Sequence, residues 1–178
     1  MTEIQKAIIT ISCALIIFAT ASGALFAIDS ELTRQTLVNV KGVSVVIEEL
    51  QPDIQKYAPR FGLTKGELQK DIEERLAKSG LAVLKQEQWL KTSGRPILYI
   101  SINTHESEKY WYAYTIIVDF RQLVTLEASP NMKTLASTWS VDMAGVANIG
   151  NLNLIRNNVG VLVDRFIEAR QSIVSKGK

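Results

Sequence analysis

Between residues 110 and 126 the chain alternates apolar and polar side chains, and this long regular stretch constrains the fold more than any other feature. Tyr110, Tyr112, Tyr114, Ile116, Val118, Phe120, Val124 and Leu126 share one parity, with Gln122 the polar exception among them. A period of two marks a strand with one buried face. Slipping the pairing by one residue would turn the whole set to water, so register is strongly specified. The pattern predicts a preceding strand over residues 95–103, with 104–109 (THESEK) as a polar turn. It predicts a third strand over 133–142, after a turn at Ser129-Pro130-Asn131. In that third strand Leu135, Trp139 and Val141 fall on one face, which makes Trp139 a core residue.

The first half reads differently. Residues 43–50 (VSVVIEEL) form a short, β-branched, nearly continuous apolar run, as expected of a strand buried on both faces. Pro52 and Pro59 punctuate the loop after it. Thr64-Lys65-Gly66-Glu67 then has the spacing of a capping box, and Leu63 and Leu68 are placed for a hydrophobic staple. Leu68, Ile72, Leu76 and Ala77 make a stripe at helical spacing, and Ser79-Gly80 stops the helix, which is predicted over 65–78. Leu81 to Leu84 resumes as a short strand. Strand, helix and strand predict a right-handed βαβ opening. A closing helix is predicted over 152–174, its apolar set being Leu152, Ile155, Val159, Leu162, Val163, Phe166, Ile173 and Val174. The resulting class is α+β: a βαβ opening, an antiparallel three-stranded meander and a C-terminal helix, with the helices packed on one sheet face. Residues 29–42 carry no clear pattern.

Residues 1–27 are set apart from this domain. Lys6 precedes an uncharged stretch from Ala7 to Ala27, and polarity begins abruptly at Asp29. Small residues gather where a signal peptidase would cut, at Ala24 or Ala27. The expectation is a signal peptide over 1–27 and one domain over 28–178, placed in the periplasm or secreted. An uncleaved anchor in the inner membrane is the alternative, since the stretch matches the ~20 residues that span a bilayer. Cys13 is the only cysteine and lies inside this segment, so the domain has no thiol for a disulfide, a nucleophile or a metal. Removing 1–27 takes one base and one acid and leaves the net charge at +2. A field that small, with no basic run, argues against nucleic acid as a partner.

The inventory of catalytic groups is short. No glycine-rich phosphate loop and no G-x-S-x-G elbow occur. His105 is the only histidine, so no metal site can be built from a His pair, and no cofactor is expected. His105-Glu106-Ser107-Glu108 reads as a solvated hairpin tip. Carboxylates such as Asp119 and Asp142 leave a hydrolase as a minor alternative. The opposite parity of the meander is more informative: Ile97, Tyr99, Trp111, Ile117 and Leu123 there mix with Ser101, Thr115, Asp119 and Arg121. A hairpin closed at 104–109 would set Tyr99 near Thr115 or Ala113 and Ile97 near Ile117. A half-apolar face with aromatics is a docking surface for a partner protein, or a stacking platform for a glycan through Trp111 and Tyr99. Burial under residues 29–42 or under a second copy in a homodimer is the competing account. Ala144 to Asn158, rich in asparagine with Gly145 and Gly150, reads as a shaped loop.

The run Val45–Leu50, followed by Gly62-Leu63-Thr64 and closing on Gly80-Leu81-Ala82-Val83-Leu84, resembles the strand–helix–strand opening of small bacterial envelope domains. These are of the type found at the amino terminus of the Tol-system translocation protein and in the curli-secretion lipoprotein. The resemblance implies an assembly or accessory role without catalytic residues. The chain departs from the lipoprotein members in lacking a lipobox cysteine. The expected function is an exported, non-catalytic binding module of the cell envelope that docks a partner through its outer sheet face.

Overall fold

The computed structural model describes residues 29–176, so the expected signal segment, with Lys6, Cys13, Ala24 and Ala27, lies outside the described residues. The elements run α1 (Glu31–Gln35), β1 (Gly42–Ile47), α2 (Pro52–Gln55), a 3-10 turn (Ala58–Phe61), α3 (Lys65–Lys78), β2 (Ala82–Val83) and α4 (Gln86–Lys91). They continue with β3 (Ile97–Glu108), β4 (Trp111–Leu126), β5 (Ser129–Asn148), a 3-10 turn (Ile149–Asn151) and α5 (Asn153–Lys176). One mixed sheet of five strands has the order β2-β1-β3-β4-β5. β1 runs parallel to β2 and β3, while β3-β4-β5 is an antiparallel meander. The α+β class and the closing helix are as the pattern implied.

α3 matches its expected bounds, and its ends show why. Thr64 Oγ1 accepts from the Glu67 N–H at 3.3 Å. Glu67 does not complete the box; its Oε2 instead accepts from Arg156 Nη2 at 3.1 Å, across to α5. At the other end Gly80 takes φ +76°, and the N–H groups of Leu81 and Gly80 close on the carbonyls of Leu76 and Ala77. That is a Schellman motif, which a glycine forms without a Cβ penalty. Leu68, Ile72 and Leu76 are buried, whereas Ala77 is exposed and not part of the stripe.

α3 and α5 cover one face of the sheet, called the inner face here. Val43 and Ile47 of β1, Leu98, Ile100 and Ile102 of β3, Tyr112 to Phe120 of β4 at alternate positions, and Trp139 and Val141 of β5 form its core with both helices. β1 is not buried on both faces. Val43 and Ile47 are buried on the inner side, whereas on the outer side Ser44 is half-buried and Val46 exposed. A Cβ on Gly42, which has outer parity, would stand 2.9 Å from Leu84 Cδ2, so the chain leaves β2 across the outer face. α4 then returns to β3 on the far side of β1, as a right-handed crossover requires.

Two strand ends and one mid-strand bulge differ from expectation. The polar residues Thr104 to Glu108 continue the β3 ladder, with His105 opposite Ala113, and the chain turns at Lys109 and Tyr110. Tyr110 sits exposed at φ +71°, outside the buried set. The hairpin register therefore shifts by four: Tyr99 faces Asp119 and Ile97 faces Arg121. The β4–β5 turn falls at Glu127–Ala128 rather than at Pro130, and β5 runs on to Asn148, so the Asn/Gly-rich stretch is mostly strand and helix. Finally, Leu135 does not share the face of Trp139. Phe120 pairs with Trp139 but Arg121 with Ser137, so Thr138 is a bulge that switches parity. Gln122, the polar exception of the inner parity, holds that bulge: its Nε2 donates to Thr138 Oγ1 at 3.0 Å and to the Thr36 carbonyl at 3.3 Å. Leu135, Leu126 and, on α5, Val174 are exposed.

Residues 29–42 pack on the inner side. Leu37 is fully buried, and the Trp139 indole donates to Asp29 Oδ1 at 2.9 Å. Arg34 clamps the same carboxylate in a bidentate pair at 2.6 and 2.7 Å. This segment therefore does not cover the outer face.

Arg156 ties α5 to α3 through Asp71, at 2.7 and 2.8 Å, and Arg75 reaches Asp164 at 2.5 Å. The Arg156 guanidinium, against a smaller opposing effect of burial, holds the Asp71 carboxyl below its usual range. A depressed native value means this contribution is complete above the unfolded carboxyl value and is lost as pH falls through the native one. Urea midpoints are expected to decline below about pH 4, with Asp71→Asn flattening that decline and lowering the midpoint at neutral pH. The pair is about a third exposed, so the change is modest.

Candidate functional site

The outer face is read in rows across the strands. Val46, Tyr99, Asp119 and Ser140 form one row, and Ser44, Ile97, Arg121 and Ser137 the next. At their centre the Arg121 guanidinium stands 3.5 Å from the Tyr99 ring centroid and donates to Asp119 Oδ2 at 2.9 and 3.2 Å. A part-buried guanidinium on a tyrosine face, fixed by a carboxylate, is a stable structural unit. It leaves that face of the Tyr99 ring occupied. Beside it Ser101 Oγ donates to Glu48 at 2.6 Å and accepts from Asn103 Nδ2 at 3.1 Å, and Gln51 joins Asn103 and Thr104. The middle of the face is thus polar and internally satisfied.

The five expected docking residues do not form one patch. Ile97, Tyr99 and Ile117 are half-buried around this polar centre, while Trp111 is 46% exposed at the Lys109–Tyr110 end, opposite Asn148. Tyr99 faces Asp119, eight positions along β4 from Trp111, a span of about 26 Å at ~3.3 Å per residue. One sugar cannot stack on both. Val146 and Tyr110 are exposed near Trp111. Asp119 and Asp142 are diagonal outer-face neighbours, but Asp119 is engaged by Arg121 and neither lines the groove described next. His105 lies exposed in β3, and no group of three potential metal ligands occurs among the described residues.

Leu123 lies elsewhere, where β4 and β5 extend beyond the end of β3 as a two-stranded ribbon. Its N–H donates to the Gly94 carbonyl at 2.6 Å, which fastens the ribbon to the loop after α4. Between them lies an open groove of 450 Å³ lined by Leu90, Lys91, Arg95, Leu123, Thr125 and Lys133, together with Thr92 to Gly94. Leu135 pairs with Leu123 on the same side and is 44% exposed; Leu90 is 50% exposed. Three cations rim this groove and no acid lines it. Among the described residues no carboxylate pairs with Lys91, Arg95 or Lys133; Arg95 lies over the Trp89 ring at 5.8 Å. The Trp89 indole N–H is buried without an acceptor among the described residues. Parity alone placed Leu123 on the outer face, but the cations are dispersed in sequence and α4 has too few apolar positions to be read as a helix.

No family model and no curated protein matches the sequence. Among solved structures the chain is similar to the rare lipoprotein B of Shewanella oneidensis, at 13% identity and a TM-score of 0.32, over 76% of this chain and 96% of that one. A likeness at that score carries no weight for fold or function. No helix among the described residues is long and apolar enough to cross a membrane.

Proposed function

We propose that this chain is an exported, non-catalytic binding module of the cell envelope, and that it docks an acidic segment of a partner protein in the ribbon groove. One observation carries the reading: exposed Leu90 and half-buried Leu123 line a groove rimmed by three cations that pair with no carboxylate among the described residues, and exposed Leu135 stands beside Leu123 on the neighbouring strand. Apolar side chains left in water are the usual anchors of an interface, and uncompensated charge around them selects the sign of what binds. The ribbon is rigid enough to present them, because Gln122 pins its bulge and the Gly94 carbonyl its edge. Export rests on the uncharged stretch 7–27, and the absence of catalysis on the short chemical inventory.

The test is a titration of the exported chain with a labelled peptide of alternating glutamate and leucine, against a lysine–leucine counterpart. Binding of the acidic peptide is expected to weaken at least about tenfold in Lys91→Glu/Lys133→Glu, a loss of ~1.4 kcal/mol, and to weaken with added salt. Equal binding of both peptides, binding indifferent to the charge reversal, or capture of anionic vesicles in place of the peptide would each overturn it.

A further inference from the structure

We infer that two copies of this chain join through the open edge of β5, around a two-fold axis at Gly145. β5 is the outermost strand of the sheet. The Ile149 N–H donates to the Tyr110 carbonyl at 2.9 Å, and the register with β4 is unbroken from there back to the Phe120–Trp139 pair. In an antiparallel ladder the bonded positions alternate, so the odd residues of β5 bond β4. The N–H and C=O groups of Ser140, Asp142, Ala144 and Val146 consequently point away from the sheet.

An open row of backbone donors and acceptors takes one kind of occupant, another extended strand. Chains block such edges with proline, lysine, bulges or a covering segment. Here Pro130, Lys133 and the bulge at Thr138 all lie on the ribbon half of β5, and the contacts from Thr36 and Asp29 reach only Thr138 and Trp139. Among the described residues the strand from Ser140 to Asn148 has none of these devices, and Asp142 is its single charge.

The side chains of that half are complementary to themselves. An antiparallel pairing centred on Gly145 sets Ala144 against the second copy's Val146, and Asp142 against its Asn148, on the outer face. On the inner face it sets Met143 against Ala147. Apolar meets apolar and polar meets polar, with no like charges opposed. Centring on Ala144 would instead oppose Asp142 to Val146. The glycine itself is required within the chain: a Cβ there would lie 2.5 Å from Tyr114 Oη, since the phenol reaches across to accept from Asn158 Nδ2 at 2.7 Å.

Two chains with distinguishable tags, one carrying Ala144→Cys and the other Val146→Cys, both with Cys13→Ser, are co-expressed and oxidised in cells. The expected product is a disulfide-linked pair of the two different chains, because bonded antiparallel neighbours stand ~5.5 Å apart at Cα, within disulfide reach. Either variant alone should link poorly. Ala144→Pro removes only an N–H aimed away from β4, so it should keep the circular dichroism of the parent while losing its doubled mass in sedimentation. Absence of the mixed disulfide, a doubled mass that survives Ala144→Pro, or a disulfide to a different protein would overturn the assignment.

Discussion

Replacing Trp139 by alanine is expected to lower the unfolding free energy by about 3–5 kcal/mol, the range for emptying a large aromatic site. Trp139 is fully buried, with its ring 5.5 Å from that of Phe166, which in turn stacks on Phe120 at 5.8 Å. The substitution removes the contact between sheet and α5 at the bulge, where backbone relaxation is restrained by Gln122. It also removes the indole N–H that holds Asp29, leaving residues 29–42 attached by fewer bonds. Against a total stability of roughly 5–15 kcal/mol, such a loss takes a large share of the folded population. Trp139→Phe separates the two contributions. It keeps most of the buried area and forfeits the hydrogen bond to a carboxylate, so its cost should be nearer about 1.5–3 kcal/mol. Urea midpoints of the two variants, at unchanged slope, measure both.

Leu76→Ala is expected to cost about 2–5 kcal/mol. Leu76 is fully buried at the last turn of α3, and its carbonyl also accepts the Leu81 N–H that closes the helix, so its position is held from both sides. The cavity would therefore collapse poorly. Ala77, one residue on, is exposed, and Ala77→Gln should change the midpoint within about 0.5 kcal/mol. A pair of adjacent positions with such different responses reports directly which face of α3 meets the sheet.

These elements differ in how far they could be read from residues alone, and the reasons are physical. α3 was legible to the residue because its start and stop are local: a hydroxyl three positions from a backbone N–H, and a glycine where the chain must turn left-handed. The inner face of β4 was equally legible from Tyr112 to Phe120, since alternation is enforced by the core. Beyond Phe120 the ribbon leaves the core, and along the same parity Val124 is only half-buried and Leu126 exposed. Strand ends were the least legible. Thr104 to Glu108 are polar yet remain in the ladder, because backbone bonds to β4 do not require apolar side chains. Leu135 was misplaced by a single inserted residue, Thr138, which no periodicity reveals.

The docking surface follows the same division. Outer parity identified Ile97, Tyr99, Trp111, Ile117 and Leu123, but parity has no sense of distance along a strand. Moving the hairpin turn from 104–109 to Lys109–Tyr110 carried Tyr99 opposite Asp119, into the polar centre with Arg121. Leu123 alone among the five lines the groove. The rest of that groove comes from Leu90, Lys91 and Arg95 on one side and Lys133 on the other, residues far apart in sequence that only the α4 crossover and the Leu123–Gly94 bond bring together.

In-cell photo-crosslinking from Leu135, which shares the groove side but is not needed for its charge, tests the docking assignment most directly. The expected result is an adduct whose partner peptide carries clustered aspartate or glutamate, diminished when Lys91 and Lys133 are changed to glutamate, with no equivalent adduct from Trp111. Adducts that survive the charge reversal, or that form from Trp111 and not from Leu135, would contradict it.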